Sequence, residues 1–403
     1  MGQGDTAFIV RTVGLLQGLG LRATGVKEEK SAFSPGTSFN ANRFMTPETM
    51  LKAIKAGDFV IEGPLSDPVA FKDGSLPTRV DAMRKTNVQL ENVRNLRLYE
   101  YGTIDYRGGQ LVQLGKDGEN TPVGRANVVN FANDPHHAFM GMGHGEIGAF
   151  YNSGGRSGLV DLPAALKAGA ETNRTAREIL KLIGGKPDIY IGYANKAPSV
   201  QGWVTAVSAH AARIGRPALI IGVYGATKIA DPFQMDQSDA IFVNDRIPNS
   251  EGKTGQLTAL PAKVKSSSTV VFSDSVPAPV MNALQMVAMP LTLATGNFSL
   301  SEAIEKGLFP IYERLDFNFG VQIAFEGQVD HALEELNLKE TDFGRAIKQL
   351  VRAQPESLDR SKIDAIGIVL DHPDDVRMLM AVIEANTDIT PGLVARLANL
   401  MRM

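Results

Sequence analysis

A group of polar residues follows an apolar run near residue 295, where it could bind an anion. The run is Met289–Ala294, and the polar residues after it are Thr295, Asn297, Ser299, Ser301 and Glu302. Ser299 and Glu302 have the spacing of a capping box, which predicts a short helix that begins at Ser299 and ends before Gly307. Backbone N–H groups at a helix N-terminus bind anions when the preceding turn lets a ligand approach. The segment therefore predicts an anion site.

Each of these side chains also has a purely local explanation. Glu302 could serve only as the capping partner of Ser299. Asn297 and Ser299 could bond only to nearby backbone groups, as turn and cap residues do. Because the segment follows the C-terminal end of a predicted strand, we expect at least one of the two to contact a bound anion.

Three histidines and two acids lie close together in the first half of the chain: Asp134, His136, His137, His144 and Glu146. Imidazole and carboxylate groups suit zinc or iron, but nothing in this spacing places the ligands on one helix face. The glycines between them indicate a loop. We expect this loop to line a cleft between domains rather than to bind a metal.

The same loop contains Gly143, Gly145 and Gly148, which match the dinucleotide-binding pattern G-x-G-x-x-G. That pattern works only where it follows a strand and opens a helix. The residues after it, 149–158, include Asn, Ser and three further glycines, which are poor helix formers. The sequence therefore does not predict a nicotinamide-cofactor site.

Further polar residues follow predicted strands in the second half. Asp274 and Ser275 follow the run Thr269–Phe272 after one serine, so they either reach the same sheet edge or cap the following helix. Arg246 and Lys253 lie in a loop and could neutralise an anion, although loop charges of this kind are often simply solvated.

Composition excludes several classes of protein. The chain has 403 residues, which favours two domains, and a formal charge of −3 with no basic block, which argues against a nucleic-acid surface. It has no cysteine, so disulfides, thiolate metal sites and a cysteine nucleophile are excluded. Neither a membrane-spanning run nor a signal peptide is recognisable. We therefore predict a soluble, cytoplasmic protein.

The second half alternates short apolar runs with helical segments. Six runs read as strands: Ile189–Gly192, Ala218–Val223, Ala240–Val243, Thr269–Phe272, Leu291–Ala294 and Leu308–Tyr312. Helical segments lie between several of them, including Trp203–Ile214 and Ala278–Val287. Continuous apolar strands that alternate with helices indicate a parallel sheet covered on both faces. Trp203 is expected in the core of this domain.

The first half repeats the pattern less regularly, with predicted strands at Asp58–Gly63, Asn95–Tyr101 and Ala138–Met142 and a helix that Thr46 and Pro47 open. The last sixty residues have helical periodicity at Asp330–Val351, Asp374–Asn386 and Pro391–Leu400.

The predicted fold class is α/β, with two doubly wound Rossmann-like domains that face a cleft. A Gly-Gly-Lys-Pro break at 184–187 separates the first domain, 1–185, from the second, 186–370. The C-terminal helices, 371–403, could pack back on the first domain.

Residues 294–313 resemble the donor-binding segment of GT-B glycosyltransferases. In that family a glycine-containing loop leads into a helix that reads Glu-Ala-apolar-x-x-Gly, and an apolar strand follows. Glu302-Ala303-Ile304 and Gly307 match the helix here, and Thr295-Gly296-Asn297 matches the loop. The resemblance implies that Glu302 bonds the ribose of a nucleotide-sugar donor and that the helix N-terminus, near Phe298–Ser301, holds its diphosphate. The predicted donor-binding residues are Asp274, Ser275, Thr295, Gly296, Asn297, Phe298, Ser299, Ser301 and Glu302.

The chain departs from one pattern of the family. Retaining members carry two glutamates with seven residues between them, the second on this helix. If Glu302 is the second, Ala294 occupies the position of the first, so that acid is absent. The missing acid favours an inverting enzyme, which needs a general base to deprotonate the acceptor.

The start of the chain is similar to the first turn of the family's acceptor domain, although no strand precedes it. Here Gly2-Gln3-Gly4-Asp5 comes before a predicted helix, Thr6–Leu19. In some inverting members, including rhamnosyltransferases that modify a translation-factor arginine, a Gly-Asp in that turn supplies an essential carboxylate. The resemblance implies that Asp5 is the base, with His144 and Glu146 as second choices. Asp5 could instead be only the N-cap of the helix.

The function expected from this resemblance is transfer of a hexose or deoxyhexose from a nucleotide sugar, without a metal or other cofactor. The acceptor would be a glycan, a small molecule or a protein, and neither nucleic acid nor membrane is an expected partner. The alternatives are a nucleotide-sugar epimerase of the same fold and a non-catalytic assembly or binding protein that retains the fold.

Overall fold

We analysed a computed structural model of the chain. It describes residues 4–23, 27–28, 44–45, 59–65, 94–99, 104–107, 110–114, 120–122, 136–143, 146–151, 161–223, 238–243, 258–259, 268–273, 276–315 and 319–402. The helices in this part are α1 (Gly4–Gly18), α2 (Leu162–Ala170), α3 (Arg174–Leu182), α4 (Ala197–Ile214), α5 (Ala278–Val287), α6 (Gly296–Glu305), α7 (Phe319–Glu335), α8 (Asp342–Val351), α9 (Arg360–Leu370), α10 (Pro373–Thr387) and α11 (Ile389–Arg402).

The strands begin in the first half with β1 (Lys27–Glu28), β2 (Phe44–Met45), β3 (Phe59–Leu65), β4 (Arg94–Tyr99), β5 (Ile104–Arg107), β6 (Gln110–Leu114), β7 (Asn120–Pro122) and β8 (His137–Phe139). The second half adds β9 (Asp188–Tyr193), β10 (Ala218–Val223), β11 (Ser238–Val243), β12 (Thr258–Ala259), β13 (Ser268–Ser273), β14 (Leu291–Thr295) and β15 (Phe309–Glu313). All six strands predicted for this half are present. Several described elements were not predicted, among them α2, α3 and β12 here, and β1, β2, β5, β6 and β7 in the first half.

Contacts divide the chain into two compact units. The first comprises Met1–Asn152, Asp316–Ala324 and Thr387–Met403, and the second comprises Ser153–Leu315 and Phe325–Asn386. The predicted boundary at 184–187 therefore lies inside the second unit. The physical reason is that α2 and α3, which precede this break, bury Leu166 and Ile179 in the same core as the strands that follow it.

The second unit is built around a seven-stranded sheet in the order β12-β11-β13-β10-β9-β14-β15. All its pairs are parallel except β11 with β12. Strands β14 and β15 are buried along their whole length, which explains why they read as continuous apolar runs. The predicted α/β class with a parallel, doubly wound sheet is confirmed.

Helices cover both faces of this sheet. On one face α2, α3 and α5 pack against alternate residues such as Ile191, Leu219 and Val271. On the other face α4 places Trp203, which is fully buried as predicted, against Gly192. A Cβ atom at Gly192 would lie 2.7 Å from the indole ring, so this strand position admits only glycine next to Trp203.

The first unit contains a three-stranded parallel sheet in the order β3-β4-β8, which matches the three strands predicted there. Helix α1 packs through Phe8, whose ring meets that of Phe150 edge-on with centroids 5.4 Å apart. The C-terminal residues 387–402 join this unit, since the Ala149 N–H donates to the Thr387 carbonyl at 2.7 Å. The helix predicted after Thr46 lies outside the described residues.

Two predictions for the C-terminal helices need correction. The periodic stretch Asp330–Val351 is not one helix, because Asn337 adopts a left-handed φ of 58° and separates α7 from α8. The predicted segment 371–403 is also divided, since α10 belongs to the second unit and α11 to the first. None of the described helices is long and apolar enough to span a membrane.

Candidate functional site

The second unit has a topological switch point between β9 and β14. From β9 the chain passes through α4 to β10 on one side, where β11 and β13 also lie. After β13, α5 leads the chain across to β14 on the other side of β9, and α6 leads on to β15. In open α/β sheets ligands bind at the carboxyl ends of the strands that flank such a reversal. We call the residues that follow these ends, Asn195, Lys196, Thr295, Gly296 and Glu313, the switch-point edge.

Helix α6 begins at Gly296, immediately after the last residue of β14. Gly296 has a φ of +76°, a left-handed conformation that glycine adopts without steric cost. A Cβ atom built on it would have no described heavy atom within 4 Å. The backbone at the start of α6 is therefore open to close approach, and its first N–H groups have no partners within the helix.

The predicted capping box is wrong. In a capping box the serine stands before the first helical residue, but Ser299 lies inside the first turn of α6, which begins at Gly296. Glu302 is therefore too far from the start of the helix to bond the N–H of the capping residue. The Ser299 hydroxyl accepts the Thr295 N–H at 3.1 Å and donates to the Thr295 carbonyl. The C-terminal prediction is confirmed, since Gly307 has a φ of +72° and Leu308 donates to the Ala303 carbonyl as in a Schellman motif.

The side chains predicted to bind the donor differ in their exposure. Asn297, Phe298, Ser299 and Glu302 are half-buried, as is Gly296. Ser301 is fully buried and its hydroxyl donates to the Asn297 carbonyl at 3.1 Å, so it cannot touch a ligand in this conformation. Asn297 Oδ1 is a buried oxygen that has no hydrogen-bond partner among the described residues.

Glu313 ends β15 and is fully buried. Its Oε2 accepts the backbone N–H of Asn195 at 2.7 Å, and its Oε1 accepts the backbone N–H of Lys196 at 2.9 Å. These two residues form the turn between β9 and α4. The carboxylate therefore occupies the N-terminal end of α4, where the helix dipole favours negative charge.

Asn195, which follows β9, is linked to the end of β14 across the switch point. Its backbone N–H is held by Glu313, and its side-chain Nδ2 donates to Thr295 Oγ1 at 3.3 Å. Positive charge lies nearby, since Lys196 Nζ donates to the Arg314 carbonyl at 3.2 Å. The edge thus combines amide and hydroxyl groups with the Lys196 ammonium, a set of groups that suits a phosphate ligand.

Sequence reasoning missed Asn195, Lys196 and Glu313 as parts of this edge. Each follows or ends an apolar strand, which is the same signal that selected Thr295 and Asn297. The contact itself joins residues 118 positions apart and has no local signature. Asp274, Ser275, Arg246 and Lys253 lie outside the described residues; the preceding Ser273 is buried and lies 2.6 Å from the Thr175 hydroxyl.

The predicted catalytic residues belong to the first unit. Asp5 is the second residue of α1, which begins two residues earlier than predicted, and its side chain lies outside the described part. His144 also lies outside it. Glu146 folds back over its own turn, where Oε2 accepts the Gly143 N–H at 2.6 Å.

The G-x-G-x-x-G stretch does not have the geometry of a dinucleotide site. Gly148 pairs with Gly141 in an antiparallel bridge, and the Gly141 N–H donates to the Gly148 carbonyl at 2.8 Å. A Cβ atom at Gly141 would overlap the Glu146 carboxylate, so the glycine is needed for the turn itself. Within the described ranges no three His, Asp or Glu side chains are grouped as metal ligands would be.

A cavity of about 300 Å³ lies at the opposite, amino edge of the sheet. Its lining is mostly apolar and includes Leu162, Ile183, Ile189 and Met289, with Lys186 and Asp188 at its polar side. Because ligands of open α/β sheets bind at the carboxyl edge, we do not place the candidate site there.

Comparison with known proteins adds distant likenesses to solved structures, among them two trehalose-phosphate synthases. No protein-family model matches the chain, and no curated protein sequence is similar to it. A UDP-forming α,α-trehalose-phosphate synthase from Burkholderia xenovorans has 9% sequence identity and a TM-score of 0.38, covering 88% of this chain and 77% of that one. A trehalose-6-phosphate synthase, OtsA, has 10% identity and a TM-score of 0.36, covering 89% and 75%. Likeness at this level carries no argument about this chain.

Proposed function

We propose that the chain is a glycosyltransferase that moves a sugar from a nucleotide-sugar donor to an acceptor. The observation that carries the proposal is the start of α6 at the switch point, where Gly296 leaves the backbone open to close approach. The segment from Thr295 to Gly307 is also the one that resembles the donor-binding segment of GT-B enzymes.

In this proposal the first N–H groups of α6 bind the donor diphosphate and stabilise its charge as it leaves. Preorganised donors and a helix dipole serve this purpose because they need no reorganisation during the reaction. Lys196, whose Nζ donates to the Arg314 carbonyl, supplies positive charge at the same edge. This arrangement supports a reaction that needs no metal.

We propose further that the transfer inverts the anomeric configuration. The acid that retaining members place before this helix corresponds to Ala294, which is a buried residue of β14. An inverting transfer needs one general base, and Asp5, His144 and Glu146 stay the candidates. The proposal names the sugar and the acceptor only by chemical class. The sugar is a hexose or a deoxyhexose, and the acceptor supplies a hydroxyl, amine or guanidinium nucleophile.

The test is a panel of nucleotide sugars carrying uridine, guanosine, adenosine or thymidine diphosphate. A glycosyltransferase should show a thermal shift with at least one donor and should release the nucleoside diphosphate when an acceptor is supplied. An epimerase would convert the sugar while releasing little nucleotide, and a non-catalytic protein would do neither. The absence of any thermal shift across the panel would contradict the proposal.

A further inference from the structure

We infer that Glu313 is a positioning residue of the switch-point edge. It holds the turn between β9 and α4 so that Asn195 reaches Thr295 beside the start of α6. The inference rests on the proposed function in one respect: the ligand whose binding it supports is the donor diphosphate.

The first step is the way in which the carboxylate is held. Both of its oxygens are engaged, Oε2 by the Asn195 N–H at 2.7 Å and Oε1 by the Lys196 N–H at 2.9 Å. Two bonds to two successive N–H groups fix the orientation of the carboxylate and the path of the turn together. Charge-assisted bonds of this kind are shorter and stronger than neutral ones.

The second step concerns the cost of burying Glu313, which has no exposed surface. A buried charge is tolerated only when it is paired or well hydrogen-bonded. Within the described part of the chain Glu313 forms no ion pair, so the backbone N–H groups at the start of α4 balance its charge. An apolar residue would fill the end of β15 without this cost, which indicates that the carboxylate serves the turn and not the core.

The third step leads from the turn to the ligand site. Asn195 is exposed, yet its main chain is anchored by Glu313 and its side chain by Thr295 Oγ1 at 3.3 Å. Thr295 is the residue directly before Gly296. Fixing Asn195 therefore fixes a polar group next to the open N–H groups of α6, and this lowers the entropy cost of binding there.

The matched control is Glu305, a second buried carboxylate of the same unit. Glu305 is 1% exposed and pairs with Lys306 Nζ at 3.3 Å, at the far end of α6. Glu305→Gln removes the same charge and the same oxygen as Glu313→Gln, but it leaves the turn at Asn195 untouched. A third variant, Asn195→Ala, removes the link to Thr295 at an exposed position and leaves the carboxylate in place.

Hydrogen–deuterium exchange and binding should be measured on the full chain, with uridine, guanosine, adenosine and thymidine diphosphates as probes. We expect Glu313→Gln to speed exchange in peptides covering residues 193–198 by about tenfold and to weaken binding of the probe that wild type prefers by about tenfold. Glu305→Gln should change neither quantity. Asn195→Ala should weaken binding and leave the exchange at Lys196 slow.

Two results would overturn the inference. Unchanged exchange in Glu313→Gln would show that the carboxylate does not hold the turn, and faster exchange with unchanged affinity would reduce Glu313 to a stabilising residue. If wild type binds none of the probes, the proposed function fails, and with it the role of Glu313 in ligand binding. The exchange measurement needs no ligand, so it still decides whether Glu313 holds the turn.

Discussion

The N-termini of α4 and α6 lie at the same edge of one sheet, and among the described residues an internal carboxylate binds only that of α4. At α4 the Glu313 carboxylate binds the N–H groups of Asn195 and Lys196, and Pro198 removes a further donor. At α6 no internal carboxylate takes this place among the described residues, and Gly296 leaves the backbone accessible. The chain thus supplies its own anion at one helix and leaves room for a foreign one at the other.

This contrast shows what a helix N-terminus needs before it can serve as a ligand site. The dipole and the unpaired N–H groups are common to every helix, so they distinguish nothing. What differs is whether the fold already satisfies the donors and whether the preceding residue lets a ligand approach. Glu313 already binds the donors of α4, whereas α6 begins at an open glycine, so α6 is the candidate.

The largest effect should come from a third helix N-terminus, that of α1, where Asp5 is the second residue. Asp5→Asn keeps the size of the side chain and removes one negative charge from the first turn of α1, so the free energy of unfolding should fall by no more than about 1 kcal/mol. If Asp5 is the general base, turnover with the donor and acceptor found in the panel should fall by roughly 10²–10⁴-fold. Full turnover would show that Asp5, like Glu313, is only an internal anion, and His144 and Glu146 would be tested next.

The second effect concerns Glu313→Ala, which should lower the free energy of unfolding by about 2–4 kcal/mol, because two N–H groups lose their charged, buried acceptor. Urea denaturation measures this loss. Sulfate should restore part of it, because the vacated N-terminus of α4 then resembles that of α6.

Glu305→Ala is the control for this experiment, since its partner is Lys306 and not a helix N-terminus. If sulfate restores the free energy of unfolding equally in both variants, it stabilises the fold in general. That result would contradict the comparison between the N-termini of α4 and α6.

A smaller effect is expected for Glu302→Gln. With the capping box excluded, Glu302 has no helix-start role to lose, so stability should stay within about 0.5 kcal/mol of wild type. A residue that bonds the donor ribose should lose roughly 1.5–3 kcal/mol of binding free energy, the usual size of a hydrogen bond to a charged group. Calorimetric titration with the preferred nucleoside diphosphate measures it, and intact affinity would remove Glu302 from the site.

The strands of this unit could be predicted from the sequence, whereas the switch-point contacts could not. Continuous apolar runs locate β14 and β15 because both faces of the sheet are covered. The Ser299–Glu302 spacing misplaced the start of α6, because the left-handed Gly296 lets the chain turn directly from strand into helix. The bond from Glu313 to Asn195 depends on two strands that only the folded sheet brings together.

The smallest expected effect concerns His210, which lies at the opposite edge of the same sheet and is, like Glu313, a buried titratable group. His210 is buried, and burial, with Arg213 beside it, lowers the pKa of its imidazole. The Asp371 and Asp188 carboxylates raise the pKa of His210 and so oppose this shift, whereas the Arg216 guanidinium lowers the pKa further. Since the unfolded chain binds this proton more readily, the contribution of His210 to stability is full above the unfolded pKa of about 6.5 and declines as pH falls below it. His210→Gln should flatten the unfolding free energy between about pH 7.5 and 5.5; an unchanged slope would contradict this.

The central claim is that the start of α6 binds the diphosphate of the donor, and one pair of variants tests it most directly. Gly296 and Gly307 lie at the two ends of α6 with nearly the same backbone conformation, φ +76° and +72°. Valine at either position strains the backbone to a similar degree, but only at Gly296 does the new side chain cover the open N–H groups. Calorimetric titration of both folded variants with the preferred nucleoside diphosphate gives the answer, and the corresponding alanine pair repeats it with less steric bulk. We predict that Gly296→Val abolishes binding while Gly307→Val retains it, and unchanged affinity in a folded Gly296→Val would contradict the account.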